Sequence, residues 1–135
     1  MEALIIAEGL EDLVVRKLSG DLSTIYPTTS CYVSTQDFEN FPSLSMMEAM
    51  ACGNAIISRN VGQTSLMVDD EKNGLLLKED SPEGLVEMLK KYIKSTDDER
   101  IAMQKESVRI LEEVHTSASF ISQIEDFWVT LLKEE

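Results

Sequence analysis

One histidine and two cysteines among 135 residues leave this chain little material for a metal centre or a disulfide framework. Cys31 and Cys52 show no metal-ligand spacing, so a reducing, cytoplasmic compartment is the expectation. Basic residues are scarce as well. Twelve Lys and Arg against 25 Asp and Glu give a formal net charge of −13, which argues against nucleic-acid partners, because those demand a basic face. Up to residue 71 only Arg16, Lys17 and Arg59 carry positive charge. No apolar run approaches the roughly 18 residues that cross a bilayer, and no basic stretch precedes an apolar one at the N-terminus. What remains is ordinary for one globular domain: 43% hydrophobic and 27% charged residues, in a chain long enough to bury a core.

Along the chain, short apolar runs alternate with helical patterns. Residues 2–8 suit two helical turns, with Gly9 as a left-handed cap and Leu10 folding back. Residues 13–16 read as a strand. Asp21 can cap a helix through Leu22, Ile25 and Tyr26, which Pro27 ends early. Residues 31–34 and 55–58 are the next two strands, and residues 64–68 a short helix. Asn73-Gly74 is the strongest turn signal, leading into a fourth strand at residues 75–77. Ser81-Pro82-Glu83 starts a helix whose Leu85, Val86, Leu89, Tyr92 and Ile93 share one face. Ser95 or Thr96 caps the following helix, and Asp97-Asp98-Glu99 favours its positive end. Ser117 opens the last, where Phe120, Ile121, Ile124, Phe127, Trp128 and Leu131 keep the helical period as packing residues. The expectation is an α/β fold: a partial, Rossmann-like parallel sheet of about four strands, flanked by helices and followed by C-terminal helices.

The chemistry concentrates in Glu39-Asn40-Phe41-Pro42-Ser43-Leu44-Ser45-Met46-Met47-Glu48-Ala49-Met50-Ala51-Cys52-Gly53. Two carboxylates flank a Pro/Ser loop at the start of a short helix that ends at glycine. A carboxylate accepts two hydroxyl protons from a ribose or hexose, and free N–H groups at a helix start receive phosphate oxygens. A sugar-nucleotide site fits both. A plainer alternative stands beside it for Glu48, since Ser45-Met46-Met47-Glu48 has capping-box spacing. Met46, Met47 and Met50 read as core filling. His115, between two helices and far along the chain, reads as a surface or capping residue.

This block resembles the signature of glycosyltransferases of the GT-B fold, specifically the large retaining family 4, where Glu, seven residues and Glu run into Ala-Met-Ala-(Cys/Ser)-Gly. The likeness extends over roughly residues 8–94, through Ala55-Ile56-Ile57-Ser58, Asn60-Val61-Gly62 and Asp70-Glu71-Lys72-Asn73-Gly74-Leu75-Leu76-Leu77. It implies that Glu48 holds the donor's ribose hydroxyls and that Glu39 is the catalytic carboxylate whose negative charge faces the sugar ring. It also implies that Asn40, Phe41, Pro42, Ser43, Leu44 and Ser45 meet the donor's phosphates and sugar, and that Leu18 lies near the base. Eight residues rather than seven separate Glu39 from Glu48, so either an extra loop residue keeps Glu39 in the first position or Asn40 occupies it. The loop also departs from the pattern at Gly62-Gln63, where two glycines are frequent, and at Leu66, where Glu is frequent.

The resemblance implies retaining transfer of a sugar from a nucleotide-sugar to an acceptor, with no metal and no cofactor, since the helix dipole and basic side chains neutralise the leaving group. Aligned with the family, residues 1–135 form a single domain, the C-terminal portion of a nucleotide-sugar-binding domain. The first strand–helix units and the acceptor domain are not included. The isolated chain is accordingly expected to be inactive, and the alternative is a catalytically incompetent remnant serving as a binding or assembly module. Expected partners are a nucleotide-sugar donor, an acceptor domain or second chain, and another copy of the chain through an exposed sheet edge. A cytoplasmic or membrane-peripheral location suits the family.

Overall fold

A computed structural model describes residues 6–7, 9, 12–14, 21–38 and 40–133. Three parallel strands, β1 (Cys31–Ser34), β2 (Ala55–Ser58) and β3 (Gly74–Leu76), form a sheet in the order β1-β2-β3. Cys31 lies opposite Ala55, and Ile56 opposite Gly74. The α-helices whose bounds lie among the described residues are α1 (Leu44–Ala51), α2 (Pro82–Lys94), α3 (Asp97–Val114) and α4 (Ser117–Leu131); α1, α2 and α3 pack on the sheet, and α4 on α3. Among the described residues no helix is long and apolar enough to cross a membrane.

Strand β2 is buried along its whole length, which is why it reads as a continuous apolar run rather than an alternation. Its side chains divide the core in two. Ile56 packs with Met46, Ala49 and Met50 of α1, Met67, Val68 and Leu76 on one face. Ala55 and Ile57 pack with Leu75, Leu77, Met88, Tyr92 and Met103 on the other. Met47 is only partly buried against the first cluster. Gly74 is required where β3 pairs with β2, because an added Cβ would sit 2.0 Å from the Ile56 carbonyl oxygen. Gly53 ends α1 at φ +75°, the left-handed cap that the sequence places there.

Two buried asparagines join loops to this frame. Asn54 Nδ2 donates to the carbonyls of Tyr26 (2.9 Å) and Ala49 (3.1 Å), while its Oδ1 accepts from Thr29 Oγ1 at 2.6 Å. Asn73 Nδ2 donates to the Met67 carbonyl at 3.0 Å, and its Oδ1 accepts from the Asp69 amide at 2.7 Å. The helix starts follow sequence chemistry. Ser81 caps α2 by accepting from the Gly84 amide. Thr96 and Glu99 form a reciprocal capping box at α3. Thr116, one residue before Ser117, caps α4.

Several expectations need correction. Among the described residues three strands form where about four are expected: Leu13 lies in a turn and Val14 outside any strand, while residues 15 and 16 fall outside the described set. An apolar run becomes a strand only where a neighbour accepts its hydrogen bonds, and no described residue does so for these two. The helix expected after Asp21 is two one-turn 3-10 helices, Leu22–Thr24 and Tyr26–Thr28, because Pro27 has no N–H to continue an α-helix. Asp21 still caps, accepting the Ser23 amide at 2.9 Å. The short helix after Gly62 is likewise a single 3-10 turn, Thr64–Leu66. On α2 the buried stripe runs through Leu85, Met88, Leu89 and Tyr92, leaving Val86 and Ile93 exposed about 100° round the helix. The largest departure is α4. It leans on the end of α3, and Phe127 and Trp128 are 59% and 57% exposed instead of packed.

Candidate functional site

The signature sits where β1 ends and α1 begins, at the carboxyl end of the parallel sheet, the usual binding side of such folds. Helix α1 is oriented by its buried stripe of Met46, Ala49 and Met50, which presses on Ile56 and Val68. Glu48 lies about 100° off that stripe and is exposed.

The capping-box alternative for Glu48 does not form. Ser43, not Ser45, is the N-cap residue. Ser45 is already the second helical residue, and its hydroxyl pairs with the Tyr32 hydroxyl at 3.0 Å. The Glu48 carboxylate makes no hydrogen bond or ion pair with any described residue, although the Glu48 carbonyl accepts from the Cys52 amide at 3.2 Å. It lines a cavity of about 370 Å³ with Asp21, Leu22, Ser23, Tyr26, Ala51 and Cys52. Ser23 reaches the Asp21 carboxylate through its hydroxyl (2.5 Å) and its amide, and these bonds hold Asp21 below the usual carboxylate range. Burial, followed by the nearby Tyr32, Glu48 and Cys52, raises the Tyr26 hydroxyl above its ordinary value. Two carboxylates of different availability therefore share one cavity. The sequence around Asp21 marks it only as a cap, since 3-10 turns far from α1 in sequence carry no signal of where they dock.

At the start of α1 the Met47 amide closes the first helical bond to the Ser43 carbonyl at 2.9 Å. The amides of Leu44, Ser45 and Met46 precede that bond and have no partner inside the helix. Ser43 is buried and makes no side-chain cap; its hydroxyl lies 3.4 Å from that of Ser45. Leu44 is exposed. Asn40 is exposed and its amide donates to Gln36 Oε1 at 3.5 Å. Phe41 and Pro42 turn to a different neighbourhood, a larger, largely apolar cavity of about 770 Å³ that Met47, Leu66, His115 and Phe120 also line. The Phe41 ring meets the His115 ring edge-on at 6.3 Å. His115 caps the end of α3, as expected, yet it lies beside the signature in space and its Nε2 is buried with no partner among the described residues. Nothing in the sequence could have shown that neighbourhood, because it depends on where the junction of α3 and α4 packs. Glu39 and Leu18 lie outside the described residues. Among the described residues no group of His, Cys, Asp and Glu side chains is placed to hold a metal ion.

The model of the family "glycosyl transferases group 1" matches residues 1–109. The fold is similar to sucrose-phosphate synthase from Thermosynechococcus elongatus, with a TM-score of 0.80 and 22% identity over 99% of this chain and 34% of that one. It is also similar to the C-terminal domain of a glycosyl transferase group 1 family protein from Francisella tularensis, with a TM-score of 0.71 and 20% identity. That match covers 86% of this chain and 60% of the other. The chain thus spans about a third of the first protein and three fifths of the second. No curated protein sequence matches it. With the family model covering most of its length and the same fold in both neighbours, this chain belongs to the group 1 glycosyl transferases.

Proposed function

We propose that the chain provides the donor-binding part of a retaining glycosyltransferase of family 4, which moves a sugar from a nucleotide-sugar to an acceptor held by a separate domain or a second chain. The observation that carries this reading is Glu48: exposed, without a partner among the described residues, and facing a cavity with room for a ribose. In this reading Glu48 accepts hydrogen bonds from the two ribose hydroxyls. The amides of Leu44, Ser45 and Met46 receive the diphosphate, with hydroxyls of Ser43 and Ser45 in support. Asn40, Phe41 and Pro42 border the sugar, and Leu18 the base. Glu39 supplies negative charge to the sugar ring, whose transfer passes through an oxocarbenium-like state. The free helix amides and the positive end of the α1 dipole stabilise the departing diphosphate.

One observation favours a weaker role for the isolated chain. Between residues 21 and 71 the only Lys or Arg among the described residues is Arg59, and it pairs with Asp80. Little cationic charge remains for a diphosphate, so nucleotide binding is expected at a Kd on the order of 1 mM, about 4 kcal/mol. Ligand-observed NMR with UDP-, GDP- and ADP-sugars tests the reading. Saturable binding of one of them, lost from the Glu48 cavity on Glu48→Gln, supports it. Absence of binding by all three at several millimolar leaves only ancestry. Donor hydrolysis by this chain alone would overturn the view that it is inactive in isolation. A product of inverted anomeric configuration from the complete enzyme would remove the retaining assignment. We also infer that copies associate through the β1 edge, which has no second strand among the described residues; strictly monomeric sedimentation at high concentration would exclude this.

A further inference from the structure

A second cavity opens at the carboxyl ends of all three strands, on the side of the sheet that α2 covers. Its volume is about 290 Å³, and it shares no lining residue with the Glu48 cavity. Ser34 ends β1 and Thr35 follows it, Arg59 follows β2, and Leu77 and Asp80 follow β3. Arg59 is fixed in this wall: its side chain is only 25% exposed, one terminal nitrogen pairs with Asp80, and its amide donates to the Ser34 carbonyl at 3.4 Å. Its Nε is different. That atom is buried and has no hydrogen-bond acceptor among the described residues. A buried donor left unpaired is costly, and Arg59 lines the cavity, so a ligand that brings an acceptor to its guanidinium would offset part of that cost.

The chemistry of the surroundings selects the ligand. Asp80 bonds to Arg59, and Asp37 lies close enough for its charge to act on the guanidinium. One positive charge thus faces two negative ones, which disfavours phosphate or carboxylate ligands. The remaining polar groups are the hydroxyls of Ser34, Thr35 and Ser81, and the apolar floor is Leu77, Pro82 and Leu85. Neutral hydroxyls suit every part: they donate to Asp80, accept from the Arg59 guanidinium, and exchange hydrogen bonds with the serine and threonine hydroxyls. The C–H face of a pyranose ring suits the floor. The volume lies at the small end of ligand pockets, about 300–1,000 Å³, and fits a single ring better than a nucleotide.

We propose that the cavity between Arg59 and Asp80 is a binding site for one neutral pyranose ring, and that the ring is the part of the acceptor that reaches this chain while the separate domain or second chain holds the rest. The acceptor role rests on the donor-binding reading above; binding of the ring does not.

The test is a ¹⁵N-correlated NMR titration of the whole chain with methyl α-glucoside, methyl α-mannoside and methyl α-galactoside. The Arg59 Nε–H signal is identified by its loss in Arg59→Lys. At least one glycoside, titrated to about 100 mM, should shift the Arg59 Nε–H and Thr35 amide signals saturably. Asp80→Asn should weaken that binding about tenfold or more, Thr35→Ala should weaken it less, and Glu48→Gln should leave it unchanged. No saturable shift with any of the three glycosides overturns the site. A tighter response to glucuronate or glucose 6-phosphate overturns its neutral character. If only nucleotide-sugars shift Arg59, the ring belongs to the donor and the acceptor assignment falls. Failure of nucleotide binding alongside intact glycoside binding removes the acceptor role and leaves the sugar site standing, so the two readings fail separately.

Discussion

Replacing Glu48 by Gln keeps the size of the side chain and removes its charge. Because the Glu48 side chain is exposed and makes no bond within the described fold, stability should change by no more than about 0.5 kcal/mol. Binding should respond far more. A hydroxyl bonded to a carboxylate contributes about 1.5–3 kcal/mol, against about 0.5–1.5 kcal/mol for a neutral acceptor. For two ribose hydroxyls the difference is about 2 kcal/mol, roughly 30-fold in Kd, and about fivefold if only one bond is affected. Comparing UDP with its 2′-deoxy analogue isolates this contribution. The unmodified chain should prefer the ribonucleotide, and Glu48→Gln should lose most of that preference, with a coupling energy of about 1 kcal/mol or more in the double cycle. Ligand-observed NMR reads millimolar affinities, and a thermal scan checks the fold. Equal losses for both nucleotides would refute the ribose assignment. A fall in Tm beyond about 4 °C would refute the claim that Glu48 has no structural duty.

Three further expectations follow from the frame around the site. Asn54→Ala removes the donor to two buried carbonyls and the acceptor for Thr29, so urea unfolding should show a loss of about 2–4 kcal/mol; a loss below about 1 kcal/mol would mean that water replaces the amide. Asp21, Glu71, Asp80, Glu99 and Glu106 all have lowered carboxyl pKa values, from hydrogen bonds with Ser23, Lys91, Arg59, Thr96 and Arg109. Such groups stabilise the fold above their unfolded values of 3.8 to 4.5 and lose that contribution as the pH falls through the depressed folded values. The urea midpoint should therefore drop below about pH 4, and a midpoint unchanged from about pH 5 to 3 would contradict these pairings. Burial pushes the Cys31 thiol up to about 12 from an ordinary 9.0, so its thiolate fraction at pH 8 should fall about a thousandfold. Mass spectrometry after iodoacetamide treatment should find Cys31 unmodified in the native state and modified in urea; equal native and unfolded rates would contradict its burial.

The elements that formed where sequence placed them are those whose cause is local. Residues 31–34 and 55–58 are apolar runs between turn signals, and both are strands with those bounds. Pro82 after Ser81, and Thr96 three residues before Glu99, carry their caps within one helical turn. Helix α4 shows the limit of the same reasoning. Its apolar period marks a face able to bury, but periodicity is silent on what covers that face, and Phe120, Phe127 and Trp128 remain exposed among the described residues. Residues 13–14 show a second limit, since a strand is a property of a pair and one partner's sequence cannot supply the other.

The candidate site combines both kinds of information. Met46, Ala49 and Met50 follow an i, i+3, i+4 pattern, so burying them turns Glu48 outward by geometry alone. That much was readable, and it explains why a signature so rich in core residues can also present a carboxylate. The other wall of the cavity was not readable, because the 3-10 turns that carry Asp21 and Tyr26 are docked by a long-range bond from Asn54 to the Tyr26 carbonyl. Tyr26 is held by the Asn54 amide at the far end of α1, and Asn54 is placed by the left-handed turn at Gly53. The Ala-Met-Ala-Cys-Gly run that ends the signature therefore has a second duty besides closing the helix. It docks the 3-10 turns against the exposed face of α1 and so builds the cavity that Glu48 faces. Disrupting the Asn54 bonds should loosen nucleotide binding as well as stability, even though Asn54 lines no part of the cavity.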